Sequence, residues 1–185
     1  MSRRRRGSGQ SPAARILPAL AVLLLPACSS AGAGNTWGDG DEVGPWTVRY
    51  TGYGEVSVND SQVILEPRSA ESLDQTHGAL VQTTAQCQDA NFAVTVRTES
   101  QVRKDPPNPW EVGWVLWNFH NDTRFYAVAL KPNGWELSKQ DPAYPGNQRF
   151  LDSGTSPQFP IGEDYRVAIS QDWPAMTVTV DGTEL

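Results

Sequence analysis

Residues 106–150 read PPNPWEVGWVLWNFHNDTRFYAVALKPNGWELSKQDPAYPGNQRF and hold Trp110, Trp114, Trp117 and Trp135, four of the chain's seven tryptophans. Three runs within it have strand character, and each closes on a turn signal. Residues 111–119 are apolar and aromatic and end at His120-Asn121-Asp122. Residues 123–131 are rich in β-branched and aromatic types and end at Pro132-Asn133-Gly134. Residues 134–140 end at Asp-Pro-Ala-Tyr-Pro-Gly. Asn-Gly after an alternating run is a hairpin signal, because both turn positions tolerate the left-handed conformation that a tight connection needs. The stretch therefore predicts an antiparallel meander at the centre of a sheet.

The two segments PNPWEVGWVLWNF and TRFYAVALKPNGWELSKQDPAYPGNQRF resemble secreted bacterial proteins of the concanavalin A-like lectin/glucanase superfamily. Their nearest likenesses are family 16 glycoside hydrolase-like, 3-keto-disaccharide hydrolase-like or calcium-binding domains. The resemblance runs from Trp46 to Leu185. It implies an all-β fold, a concanavalin A-like jelly-roll β-sandwich of two antiparallel sheets. It also implies a further strand or two after Leu185, so that the chain as read is a C-terminally incomplete form of that fold. Such a superfold hosts lectins, lyases, hydrolases and adhesive modules, so function must be argued from a site.

Outward from the meander, further alternating runs at 46–53, 62–66, 79–84, 92–98, 165–171 and 176–180 predict strands, with a short one at 148–152. One helical turn is expected within 68–76. Many short strands between turns, without helical periodicity, indicate a sandwich or barrel. Residues 37–185 suffice for one domain and are too few for two.

The first 27 residues are a targeting segment. Arg3–Arg6 and Arg15 precede the apolar run ILPALAVLLL at 16–25, which is shorter than the roughly 20 residues a membrane span requires. Leu25-Pro26-Ala27-Cys28 resembles a bacterial lipobox, with Cys28 as the lipidated residue and 28–36 as a flexible tether. The expected location is the outer face of the cell membrane, with the lipid as the only membrane contact. Cys87 then stands without a disulfide partner and reads as a small buried thiol. Removing residues 1–27 takes away five of 15 basic and none of 21 acidic residues, leaving a formal charge of 10 − 21 = −11. That charge disfavours nucleic acid as a partner. The expected state is a monomer.

Glycoside hydrolysis needs two carboxyl groups about 5–9.5 Å apart across the scissile bond. The Glu-x-Asp-x-x-Glu strand motif of family 16 is absent, and Glu111 and Glu136 are the candidate catalytic carboxylates that remain. His77 and His120 stand alone, without the short-spaced ligand pair of a zinc site. Asp39 and Asp41, beside Glu42, are the candidate ligands of a structural calcium, although their loop falls short of the helix–loop–helix pattern. No other cofactor is expected.

Carbohydrate binding fits the composition better. Aromatic rings stack on the apolar faces of sugars while polar neighbours orient the hydroxyls. Strand alternation puts Trp114 and Trp117 on opposite faces, both apolar, whereas the third run has one plainly polar face of Glu136, Ser138 and Gln140. The expected glycan surface is therefore Trp114, Trp117, Tyr126, Glu136, Gln140 and Tyr144. Three functions follow: a non-catalytic carbohydrate-binding domain first, a glycoside hydrolase or lyase second, and a structural or adhesive envelope protein third.

Overall fold

The computed structural model describes residues 36–59, 62–85, 91–104 and 106–185. The expected targeting segment, Cys28, nearly all of the expected tether and Cys87 lie outside them.

The described chain is all-β. Its strands in order are β1 (Thr36–Trp37), β2 (Glu42–Val43), β3 (Trp46–Tyr50), β4 (Glu55–Asn59), β5 (Gln62–Glu66), β6 (Leu80–Thr83) and β7 (Asn91–Arg97). Then come β8 (Trp114–Asn121), β9 (Arg124–Lys131), β10 (Gly134–Gln140), β11 (Gln148–Gly154), β12 (Asp164–Asp172), β13 (Ala175–Val180) and β14 (Thr183–Glu184). A single 3₁₀ turn at Pro145–Asn147 interrupts them. No helix among the described residues is long and apolar enough to cross a membrane. The expected helical turn within 68–76 is bend and turn instead.

The expected meander is present. Antiparallel β8, β9, β10 and β11 form one four-stranded sheet in the order β11-β10-β9-β8. Gly134 closes the β9–β10 hairpin opposite Lys131, at φ 134°. A second four-stranded sheet has the order β14-β13-β12-β7. The chain thus leaves one sheet after β7, builds the other through β11, and returns to lay β12 against β7. Two three-stranded sheets, β1-β4-β5 and β2-β3-β6, complete the set.

The two four-stranded sheets share one hydrophobic core, which makes the architecture β-sandwich-like. Val115, Trp117, Val128, Leu130 and Trp135 come from the first, and Val167, Ile169, Val178 and Val180 from the second. Phe159 seals the core: its N–H donates to the Lys131 carbonyl at 3.0 Å, and its ring meets Tyr165 edge-on. A smaller cluster of Trp37, Val48 and Val56 joins the two three-stranded sheets. In β9 every residue from Ala127 to Leu130 is buried, so both faces of the meander are covered there.

One boundary differs from expectation where it matters for the site. The strand expected at 111–119 begins only at Trp114, and Glu111 lies in a bend before it. A Cβ on Gly113 would come within 2.5 Å of Val96 Cγ1, so the chain here is pressed against β7, and the Gly113 N–H goes to the Thr98 hydroxyl.

Candidate functional site

At the end of the meander where β9 begins and β10 finishes, an open cleft of about 320 Å3 is lined by Asn118, His120, Arg124, Phe125, Tyr126, Lys139, Gln140, Asp141 and Trp173. Its opening traces to an irregularity in β8. The pairing of β8 with β9 breaks between Trp117 and Asn121, and Asn118 adopts φ 49°. Asparagine tolerates this left-handed conformation better than most residues. Its side-chain amide donates to Gln171 Oε1 at 3.0 Å, tying β8 to the facing sheet at the cleft's edge. Gln171 is itself buried, so the amide pair satisfies what would be an orphaned polar group.

The aromatic wall has two parts. Tyr126 stacks on Trp117 with centroids 5.8 Å apart and planes 19° from parallel, and the Lys139 ammonium lies 5.6 Å from its ring centre. Trp173 sits in the turn joining β12 to β13 and is 62% exposed. An indole left this open forgoes roughly 3 kcal/mol of burial.

The polar wall is charged but partly self-compensated. Lys139 Nζ bonds Asp141 Oδ2 at 2.7 Å. That bond, then the Ala143 N–H and more weakly the Arg124 charge, holds the Asp141 carboxyl below the ordinary carboxylate range. The same bond raises Lys139 above the usual lysine value. Both groups are thus ionised at neutral pH. The side chains of Arg124 and His120 make no hydrogen bond or ion pair with any other described residue, although both residues belong to the β8–β9 ladder region.

Of the sequence-derived residues, Tyr126 and Gln140 line this cleft. Tyr144 borders it through its N–H to the Asp141 carbonyl, while its hydroxyl accepts from Arg149 at 2.7 Å. Trp117 is 3% exposed and faces the core, so a surface ligand does not reach it. Trp114 is half-buried on the opposite face, its indole N–H donating to the Trp110 carbonyl.

Glu136, expected on an open polar face, is 3% exposed. Its Oε2 takes the Trp110 indole N–H at 2.7 Å and the Lys131 ammonium at 3.3 Å, and its Oε1 is buried without a partner. Lys131 also lies 4.7 Å from the centre of the Trp110 ring. The row across the sheet at this level reads Trp114, Ala129, Glu136, Ser153, with no second carboxylate. Glu111 is an anchor for the preceding loops. It binds the buried Arg103 guanidinium, which also donates to the Ser72 and Gln75 carbonyls.

Asp39 and Asp41 act locally. Asp39 Oδ1 accepts from the Thr51 N–H and Asp41 Oδ2 from the Gly38 N–H, each at 2.7 Å. No group of three or more His, Cys, Asp or Glu side chains that could hold a metal ion occurs among the described residues.

Sequence reasoning missed Trp173, Arg124, Asn118, His120 and Asp141. One signal was available: Asp172-Trp173-Pro174 puts a tryptophan in a short inter-strand turn, where a core position is hard to reach. Comparison with protein-family models, curated proteins and solved structures finds no match.

Proposed function

We propose that this chain is a cell-surface lipoprotein whose domain has the jelly-roll form of the β-sandwich and binds a carbohydrate without catalysis. The carrying observation is the cleft at the end of the meander, where the exposed Trp173 and the Tyr126 ring stand among Asn118, His120, Arg124, Gln140 and Asp141. Flat aromatic surface beside polar groups is what a pyranose requires: C–H faces to stack and a rim of hydroxyls to orient. The jelly-roll reading is supported by the return of β12 to the side of β7 after the four strands of the other sheet.

The test is binding of the purified full-length chain to a panel of plant and microbial polysaccharides. Saturable binding is expected, weakened at least about tenfold by Trp173→Ala, the factor expected when one stacking platform worth about 1–3 kcal/mol is removed. Binding that survives Trp173→Ala in a folded variant sinks the cleft as the site.

A hydrolase reading has in its favour the buried, unpartnered carboxylate oxygens of its two candidates, Oε1 of Glu136 and Oε2 of Glu111, but Glu111 is held by Arg103 in the loop before β8. The sheet row of Glu136 supplies no second carboxylate, so binding remains the better-supported reading.

A further inference from the structure

We infer that the glycan taken by this cleft is acidic, and that Arg124 receives the carboxylate of a hexuronate residue. The inference rests on the carbohydrate reading above and adds the chemical class of the ligand.

The charges that line the cleft carry the argument. Asp141 is the one carboxylate among the lining residues, and it is already held by Lys139 at 2.7 Å. Arg124 is exposed and lines the open space; its charge reaches Asp141 only weakly, and its guanidinium makes no hydrogen bond or ion pair with a described residue. Acidic residues outnumber basic ones 21 to 15 in the chain, and several exposed cations have found a carboxylate: Arg68 with Glu71, Arg97 with Glu99 and Asp164, Lys104 with Glu71. Asp122 and Asp172 stand close to Arg124 and Trp173 in sequence, yet neither lines the cleft and neither pairs with Arg124.

A guanidinium is a planar fork of N–H donors that matches the two oxygens of a carboxylate, and it stays charged at every physiological pH. On a hexuronate the carboxylate projects from the rim of the pyranose, so it can meet Arg124 while the ring's C–H face lies on an indole. Trp173 supplies that indole in the same cleft. His120, whose side chain has no partner among the described residues, and Asn118, whose amide nitrogen is taken by Gln171, line the same space and bring polar groups for hydroxyls. The overall negative charge of the chain opposes an anionic polymer only weakly, because charges beyond about 8 Å are screened at physiological salt.

The experiment is calorimetric titration of the full-length chain in calcium-free buffer with four polymers: polygalacturonate, its methyl ester, a sulfated dextran and a neutral β-glucan. Polygalacturonate should bind tightest, and Arg124→Gln should weaken it at least about tenfold, the scale of one charge-assisted hydrogen bond. The same variant should cost the methyl ester clearly less than it costs polygalacturonate, since an ester can accept a hydrogen bond from the fork but gives it no charge to bind. Trp173→Ala should weaken both. Arg124→Lys keeps the charge and guards against misfolding of the glutamine variant; it should lose about two- to fivefold on polygalacturonate because the fork is gone. Equal binding of the methyl ester, preference for the neutral glucan, or an unaffected Arg124→Gln overturns the acidic assignment and leaves the carbohydrate reading standing. Binding of the sulfated polymer alone overturns the carboxylate assignment. Retention of no polymer at all sinks both.

Discussion

Trp117 and Trp173 show how differently one residue type behaves in this chain. Trp117 is enclosed by the sandwich, stacked on Tyr126 and packed among Val115, Val128 and the facing sheet, with its indole N–H unpartnered. Trp173 projects from a turn. Trp117→Ala should therefore destabilise the domain by about 3–5 kcal/mol, the usual result of emptying a large core site. Trp173→Ala should change stability by no more than about 0.5 kcal/mol, as exposed substitutions do. Urea denaturation of the two variants checks the contrast, and comparable losses in both contradict the assignment of Trp173 to the surface. Alternation along the sequence divides these side chains between faces but does not identify the face that meets the second sheet. That depends on Val167, Ile169, Val178 and Val180, which lie far along the chain.

At the scale of the element, the β9–β10 hairpin is the most tightly specified part of the meander. Gly134 sits at φ 134°, and a Cβ there would lie 2.0 Å from the Gly154 carbonyl oxygen on β11. Gly134→Ala should cost at least about 2 kcal/mol, since it combines backbone strain with a clash against a neighbouring strand. Thermal melting is the measurement, and an unchanged midpoint contradicts the close approach of β11. Strands of this kind were legible in advance because local chemistry marks them: Asn133-Gly134 fixes the hairpin, and β-branched residues alternate in β12 and β13. What was illegible depends on contacts distant in sequence. The run expected from 111 gives up its first residues as strand because Gly113 is pressed onto Val96 and Glu111 is recruited by Arg103. Glu136 looks like part of a polar surface until Trp110 and Lys131 close over it. The cleft depends on a break in the β8 ladder and on a turn from the other sheet, and neither leaves a periodic trace.

For the whole molecule, the lipobox-like Leu25-Pro26-Ala27-Cys28 and the arginine-rich start motivate a membrane anchor. Cys28→Ser should abolish lipid labelling and move the protein from the membrane to the soluble fraction of its host. Unchanged membrane association rules out the lipid anchor. A tethered domain suits a polymer-binding role, because a soluble polysaccharide would then be concentrated at the cell surface rather than carried away with the protein.

The described chain also keeps its apolar interior in two places, one between the four-stranded sheets and one around Trp37, Val48 and Val56. Side chains that share contacts must separate together, so the two clusters are expected to open as separate units. The smaller cluster rests on three buried side chains against ten in the larger, so it opens at a lower free-energy cost. Amide protons of β3 and β4 are therefore expected to exchange with solvent through partial openings, while those of β9 and β12 wait for the chain to unfold as a whole.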